Sequence, residues 1–150
     1  MSFAGLLRAA ILATGLLTVN GGRAAAPHGR YTVGSGSVYD NETRLTWQRT
    51  APSSTYIQTG AASYCATLNL NGATWRLPTI KELVTIVDVT VASPGPTIDS
   101  AAFPGTVPGP FWSSTPYAGA SSGVVWAVYF YGGNAYSDDV SNADYVRCVR

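Results

Sequence analysis

The sequence predicts an α+β domain in which two helices pack on antiparallel strands. Residues 57–68 carry one apolar stripe at helical spacing, which predicts a first helix. The run Thr79-Ile80-Lys81-Glu82 is a capping box, the signature of a second helix start. Short apolar or alternating runs stand before and after the helices. Glycine- or asparagine-containing turns separate them, which favours antiparallel pairing.

The first β unit is expected within residues 31–47. Val38-Tyr39 is typical of a short strand, and Asp40-Asn41-Glu42 of a turn. In residues 44–47 the apolar side chains alternate with polar ones, as in a strand with one buried face.

The first helix is expected over residues 57–70. Its apolar side chains recur at i, i+4, i+7, i+8 and i+11 and share one face: Ile57, Ala61, Tyr64, Cys65 and Leu68. Cys65 should therefore point inward, with Tyr64 beside it in the core. Asn71-Gly72 then ends the helix, because this pair readily adopts left-handed backbone geometry.

The second helix is expected from Thr79 to about Val87 or Asp88. The Thr79 hydroxyl and the Glu82 carboxylate each accept a hydrogen bond from a free backbone N–H of the first turn. Pro78 discourages an earlier start. The predicted buried residues are Leu83, Ile86 and Val87.

Residues 91–110 are expected to form a long irregular loop, which holds five of the nine prolines. A loop of this length is uncommon in a compact domain and is often functional. Ile98 and Phe103 are expected to hold it on the core.

Four further strand-like segments follow this loop, with Gly132-Gly133-Asn134 as a hairpin turn. They span residues 111–115, 124–131, 135–137 and 145–150. Alternation along residues 124–131 predicts that Trp126, Val128 and Phe130 face the core. In the last strand, Val146 and Cys148 should share one face, and Tyr145, Arg147 and Val149 the other. The other tryptophans are also predicted to be buried: Trp47, Trp75 and Trp112.

Residues 1–26 are expected to be a secretory signal peptide, and residues 27–150 a single domain. Arg8, the apolar run 9–19 and the alanines 24–26 follow the order of such a leader. The run is too short to span a bilayer, which takes about 20 apolar residues. Cleavage after Ala24, Ala25 or Ala26 stays open, as does the alternative of an uncleaved anchor or a core helix. The expected location is the cell envelope or the medium, with no transmembrane segment after cleavage.

Cys65 and Cys148 are the only two cysteines, and export would place them in an oxidising compartment. A Cys65–Cys148 disulfide is therefore predicted. It would close a loop of roughly 84 residues, and the chain-entropy account gives such a loop about 4–5 kcal/mol.

The composition argues against nucleic-acid binding and against catalysis. Cleavage would remove Arg8 and Arg23 and leave seven basic against eight acidic residues, so no basic field attracts a polyanion. His28 is the single histidine, at the start of the exported chain, and both cysteines are expected to be paired. Neither a Ser-His-Asp nor a Cys-His arrangement is then available, and we expect no enzyme activity.

An acidic turn near the C-terminus is a candidate metal site. Asp138, Asp139, Asn142 and Asp144 place four oxygen-bearing side chains within seven residues. Carboxylate and amide oxygens are the ligands of Ca²⁺ in proteins, so calcium is the cofactor considered. The alternative is a solvated acidic turn without a cofactor.

A set of tyrosines around the late hairpin is the candidate ligand surface. It comprises Tyr117, Tyr129, Tyr131 and Tyr136. Tyrosine with serine, glycine and asparagine is the composition of adaptable binding surfaces. The alternative is ordinary packing of the rings on the sheet.

Several sequence blocks, taken in order, resemble one bacterial family. The blocks are Leu45-Thr46-Trp47, Tyr64-Cys65, Trp75–Leu83 (WRLPTIKEL), Phe111–Thr115 (FWSST), Trp126–Phe130 and Tyr145–Arg150 (YVRCVR). Through them, residues 38–150 resemble the C-terminal domain family of the Legionella collagen-like (Lcl) adhesin, which is otherwise of unknown function.

The resemblance implies a C-type-lectin-like fold, with two helices and a strongly curved antiparallel sheet. Such a fold links its first helix to its last strand by a disulfide, and Cys65 and Cys148 fall at those places. For function, the resemblance implies likeness to a trimer-forming head that binds glycosaminoglycans. Sulfated glycans need a basic surface, and only seven basic residues would remain here, so that ligand is not carried over.

These observations together predict a secreted or cell-surface, non-catalytic module that binds a glycan or an extracellular protein through residues 115–144. The alternative is a structural envelope protein that assembles into a homo-oligomer without binding glycans. A molecular mass that changes with concentration, in the absence of glycan binding, would favour the alternative.

Overall fold

A computed structural model describes residues 26–150, and within this range a pair of helices accompanies two three-stranded antiparallel sheets. The elements are β1 (Tyr31–Val33), β2 (Ser37–Asp40), β3 (Thr46–Gln48), α1 (Gln58–Thr67), α2 (Ile80–Thr85), β4 (Pro110–Pro116), β5 (Val124–Tyr129) and β6 (Asn134–Asp139). The predicted α+β class with two helices is confirmed. The predicted signal peptide lies outside the described residues, except for Ala26.

Each sheet is a simple meander. In the first, β2 lies between β1 and β3, and Val38 pairs with Trp47. In the second, β5 lies between β4 and β6, and the tight turn Gly132-Gly133 brings β6 back along β5. The pairing of β4 with β5 is irregular between Trp112 and Pro116.

The C-terminal segment, residues 145–150, joins the two sheets by isolated pairs and does not form a continuous strand. Tyr145 bridges to Phe111 of β4, whereas Val149 bridges to both Trp47 of β3 and Arg76. The strands therefore divide between two sheets, where the family resemblance implied one curved sheet. The predicted alternation of side chains along residues 145–150 is confirmed, since Val146 and Cys148 enter one hydrophobic cluster and Val149 enters the other.

Two hydrophobic clusters make up the core. One surrounds Trp47 and Phe111, and the other surrounds Trp75, Trp112 and the cysteines. Of the four tryptophans predicted to be buried, Trp47, Trp75 and Trp112 are buried. Ile98 and Phe103 are also buried, so they hold the long loop on the core as predicted.

The predicted Cys65–Cys148 disulfide is present, with the two Cα atoms 5.5 Å apart. Both cysteines are completely buried. The bond ties α1 to the C-terminal segment at the centre of the second cluster.

Three details of the sequence interpretation are wrong. Trp126, which was predicted to face the core, is only half-buried and packs against Tyr117, whereas Val125 and Ala127 on the opposite face of β5 are buried. The helix α1 runs from Gln58 to Thr67, where residues 57–70 were predicted, and so ends before Asn71-Gly72. Of the predicted apolar stripe it buries only Ala61 and Cys65, and Ile57 is 49% exposed. The helix α2 ends at Thr85 and not at residue 87 or 88.

The capping box at Thr79 is present in full. The Glu82 carboxylate accepts the Thr79 backbone N–H at 2.7 Å and also forms a two-pronged ion pair with Arg76, at 2.7 and 2.8 Å. The Arg76 guanidinium first, and then the Thr79 hydrogen bonds, lower the pKa of Glu82 to about 2. This arrangement explains the spacing of the three residues in chemical terms: Arg76, Thr79 and Glu82 together fix the start of α2.

Candidate functional site

Three of the four predicted ligand-binding tyrosines meet on one surface of the second sheet. The rings of Tyr129 and Tyr131 stack with their centroids 5.7 Å apart, and Tyr136 lies 6.3 Å from Tyr129. Tyr129 and Tyr131 are 38% and 44% exposed. We call Tyr129, Tyr131 and Tyr136 the tyrosine patch.

Tyr117 does not join this patch. Its ring packs edge-on against Trp126, at a centroid distance of 5.0 Å. Tyr136 is the cross-strand partner of Ala127, the residue next to Trp126. Because adjacent residues of a strand point to opposite faces, Tyr117 lies on the other face of the sheet.

The long proline-rich loop supports the backbone of the tyrosine patch. The carbonyl oxygen of Phe130 accepts the Thr97 backbone N–H at 2.8 Å and the Thr97 hydroxyl at 2.9 Å. Gly95 packs so closely that a Cβ atom there would lie 2.5 Å from the same oxygen, and its φ of +59° also favours glycine. The loop thus holds the chain between Tyr129 and Tyr131 in place from behind.

An acidic pair lies under the other end of the patch. The Tyr136 hydroxyl oxygen is 3.2 Å from an oxygen of Asp138 and 3.4 Å from an oxygen of Asp144. One hydroxyl proton cannot satisfy two carboxylates, so this trio favours one additional proton. Asp144 is only 4% exposed. Burial first, and then the negative charge of Asp138, raise the pKa of Asp144 to about 7.

The four predicted calcium ligands do not converge on one point. Asp138 accepts a hydrogen bond from the Asn142 amide at 2.6 Å, whereas Asp139 accepts from the Ser141 hydroxyl and backbone N–H at 2.7 and 2.9 Å. Within residues 26–150, no group of three or more acidic, histidine or cysteine side chains is arranged to hold a metal ion. The geometry gives calcium no support, and calcium stays a prediction from the sequence.

Arg147 has a role that strand alternation in the last segment does not reveal. Its side chain is completely buried. The guanidinium donates to the carbonyl oxygens of Gln48 and Arg49, at 2.7 and 2.6 Å, and to the Thr106 hydroxyl at 2.7 Å. It also lies over the ring of Phe103, at 4.8 Å. The signal in the sequence was its position between two core residues, Val146 and Cys148.

Three of the six sequence blocks singled out above contain the residues of three structural devices: the Arg76–Glu82 helix start, the Cys65–Cys148 disulfide and the buried Arg147. In a search against protein families, the model of the Lcl C-terminal domain matches residues 36–150. The chain belongs to the Lcl C-terminal domain family. No curated protein matches the chain.

In this Lcl C-terminal domain, none of the three devices lies in the tyrosine patch. All three fix the core or a helix start, so they account for the fold and leave the ligand open. Within the described residues, no helix is long and apolar enough to cross a membrane.

The stability of this Lcl C-terminal domain is expected to fall as the pH rises from 5 to 8. Asp144 titrates near pH 4 in the unfolded chain but at about 7 in the fold, so between these values the folded state keeps a proton that the unfolded state releases. We expect a loss of about 1–2 kcal/mol, reduced by solvent around Asp138. Urea unfolding at pH 5 and pH 8 measures it.

The variant Asp144→Asn should remove this pH dependence. Asp139→Asn is the matched control, because hydrogen bonds from Ser141 lower the pKa of Asp139 and keep it ionised at both pH values. An Asp144→Asn protein with an unchanged difference between pH 5 and pH 8 would contradict the assignment.

Proposed function

We propose that this Lcl C-terminal domain is an exported, non-catalytic binding module that holds a glycan against the tyrosine patch. The observation that carries the proposal is the stacked, exposed pair Tyr129 and Tyr131. The outer face of a stacked ring offers the flat apolar area on which a sugar ring can lie, and the tyrosine hydroxyl groups offer hydrogen bonds.

Rigid support favours this surface over other exposed aromatic residues. The bonds from Thr97 to Phe130 and the close approach of Gly95 fix the backbone between the two rings. A surface that is ordered before binding loses less conformational entropy when a ligand arrives.

Charge favours a neutral glycan over a sulfated one. Residues 124–144 contain no lysine or arginine, and Asp138, Asp139 and Asp144 give the hairpin and its turn a negative character. A sulfate group would be repelled there, whereas sugar hydroxyl groups can donate to carboxylates.

The test is a glycan array probed with the purified, oxidised protein, with added calcium and with a chelator. We expect binding to neutral glycans that is at least about tenfold weaker in the variant Tyr129→Ser/Tyr131→Ser. Tyr39→Ser is the matched control, since Tyr39 is 39% exposed but lies on β2 in the other sheet. A calcium requirement would also revive the metal prediction for residues 138–144.

An array without binding in either condition would overturn the glycan proposal, and binding confined to sulfated glycans would overturn the charge argument. A protein ligand of the same patch would appear as binding that Tyr129→Ser/Tyr131→Ser abolishes without any glycan signal.

Self-assembly is the second candidate function, and the same exposed ring pair favours it. A homo-oligomer that buries Tyr129 and Tyr131 would show a molecular mass that rises with concentration. The variant Tyr129→Ser/Tyr131→Ser would then stay monomeric at all concentrations. If the domain is instead a glycan-binding monomer, the wild-type protein would also stay monomeric.

A further inference from the structure

The first described residue makes a specific contact with a buried carboxylate. The backbone nitrogen of Ala26 lies 2.9 Å from one carboxylate oxygen of Asp99. The other oxygen of Asp99 accepts the backbone N–H groups of Ala101 and Ala102, at 2.8 and 3.0 Å. Asp99 is only 8% exposed.

Asp99 has no basic partner within residues 26–150. The ion pairs found there join Arg30 to Asp40 and Glu42, and Arg76 to Glu82. A buried carboxylate without a counter-ion is costly, since charges in protein interiors are normally paired. A positive charge at the nitrogen of Ala26 would supply the missing partner.

A cavity of about 290 Å³ lies at this contact and is lined by Ala26, Arg30, Tyr31, Asp88 and Asp99 among others. One carboxylate oxygen of Asp88 is buried without a hydrogen-bond partner within the described residues. Arg30 lines the cavity but donates to Asp40 and to the Thr85 carbonyl oxygen. Burial raises the pKa of Tyr31, so its hydroxyl is neutral. The cavity is therefore lined by two carboxylates, Asp88 and Asp99, and by one cation, Arg30, whose hydrogen bonds go to other residues.

We propose that Asp99 is the binding site for the chain's own N-terminal ammonium group after export processing. A signal peptidase would hydrolyse the Ala25–Ala26 bond. Water adds across the bond, so that Ala25 ends in a carboxylate and the nitrogen of Ala26 becomes an ammonium group. The hydrogen bond from a neutral amide N–H to the Asp99 carboxylate then becomes an ion pair, in which donor and acceptor are both charged. The inference rests on the export leader that the sequence predicts.

The structure distinguishes the three cleavage positions that the sequence leaves open. Cleavage after Ala26 removes the N–H that Asp99 accepts. Cleavage after Ala24 leaves that N–H as a neutral amide. Only cleavage after Ala25 places the new charge on the atom that lies 2.9 Å from Asp99.

Mass spectrometry tests the cleavage position. The full-length chain is expressed with its own leader, and the mass of the protein recovered from the envelope or the medium is measured. We expect a protein that begins at Ala26. A protein that begins at Met1, Ala25 or Pro27 would overturn the proposal.

The reactivity of the new terminus tests the ion pair. Lys81 is the chain's single lysine and is exposed, so an acetylating reagent meets only two amines and Lys81 is an internal reference. An ammonium group paired with Asp99 has a raised pKa and less free amine at pH 8. We expect acetylation at Ala26 at pH 8 to be about fivefold slower than in the urea-unfolded protein, which is the loss of free amine that follows when an ordinary α-amino pKa rises by about one unit.

Asp99→Asn should restore ordinary reactivity, because an amide still accepts from Ala101 and Ala102 but carries no charge. Glu42→Gln is the charge-matched control, since it removes an exposed carboxylate that pairs with Arg30. Equal rates in the folded and unfolded protein would overturn the proposal even if Asp99→Asn fails to fold. So would a slow rate that Asp99→Asn leaves unchanged.

Discussion

Replacing Arg147 with alanine is expected to lower the free energy of unfolding by about 3–5 kcal/mol, or to prevent folding. The substitution would leave the carbonyl oxygens of Gln48 and Arg49 and the Thr106 hydroxyl without their donor in the core. It would also leave a cavity beside Phe103. Urea unfolding followed by tryptophan fluorescence measures the change.

Two further variants keep this prediction testable if Arg147→Ala does not fold. Arg147→Lys retains a charge, but an ammonium group cannot reproduce the fork that reaches three acceptors, so it should still be clearly destabilised. Arg150→Ala is the control, because Arg150 is exposed and its guanidinium lies over the Trp75 ring, at 5.5 Å from the ring centroid. A loss below about 1 kcal/mol for Arg147→Lys would mean that the three hydrogen bonds contribute little.

Burial lowers the pKa of Arg147 to about 9, so the guanidinium is still charged at neutral pH. The charge has no carboxylate partner within the described residues, and backbone carbonyl oxygens and aromatic faces take that place. Arg147 therefore links the last segment of the chain to the end of β3 and to the loop that contains Thr106.

Removing the disulfide with Cys65→Ala/Cys148→Ala is expected to cost about 4–5 kcal/mol. The two residues are 83 positions apart, so the bond restricts most of the unfolded chain. In the fold it connects α1 to the C-terminal segment, and both residues are completely buried. The free energy of unfolding in urea measures the loss.

Wild-type protein treated with dithiothreitol is the control for the alanine variant, because it loses the bond but keeps both sulfur atoms. The two should agree within about 1 kcal/mol, since alanine leaves only a small cavity. A loss below about 1 kcal/mol in both would show that the unfolded chain is already compact without the bond.

The sequence was most informative where the signal was local. The capping box needs only Thr79 and Glu82, three residues apart, and it is present as predicted. The disulfide followed from a count of two cysteines and a predicted compartment. The faces of residues 145–150 followed from strand alternation, which holds for any extended chain.

The sequence misled where burial depended on what lies on both sides of an element. The prediction for β5 assumed one buried face, but residues of both parities enter the core, with Val128 in one cluster and Ala127 in the other. Trp126 lies outside both clusters, beside Tyr117, and is half-buried. The sequence also grouped Tyr117 with the tyrosine patch, although its ring packs on the other face of the sheet. The number of residues between Tyr117 and Tyr129 does not determine which face of the sheet each ring occupies.

The sequence by itself determined the class of the fold, the start of α2, the disulfide and the family, because each depends on residue identity at short spacing or on a cysteine count. Only the tertiary structure decided that Arg147 is buried, that Tyr129 and Tyr131 stack, and that Asp99 meets the nitrogen of Ala26. Each of these contacts joins residues whose distance is fixed by the packing of other elements between them. Their energies depend on burial, and burial is a property of the assembled core.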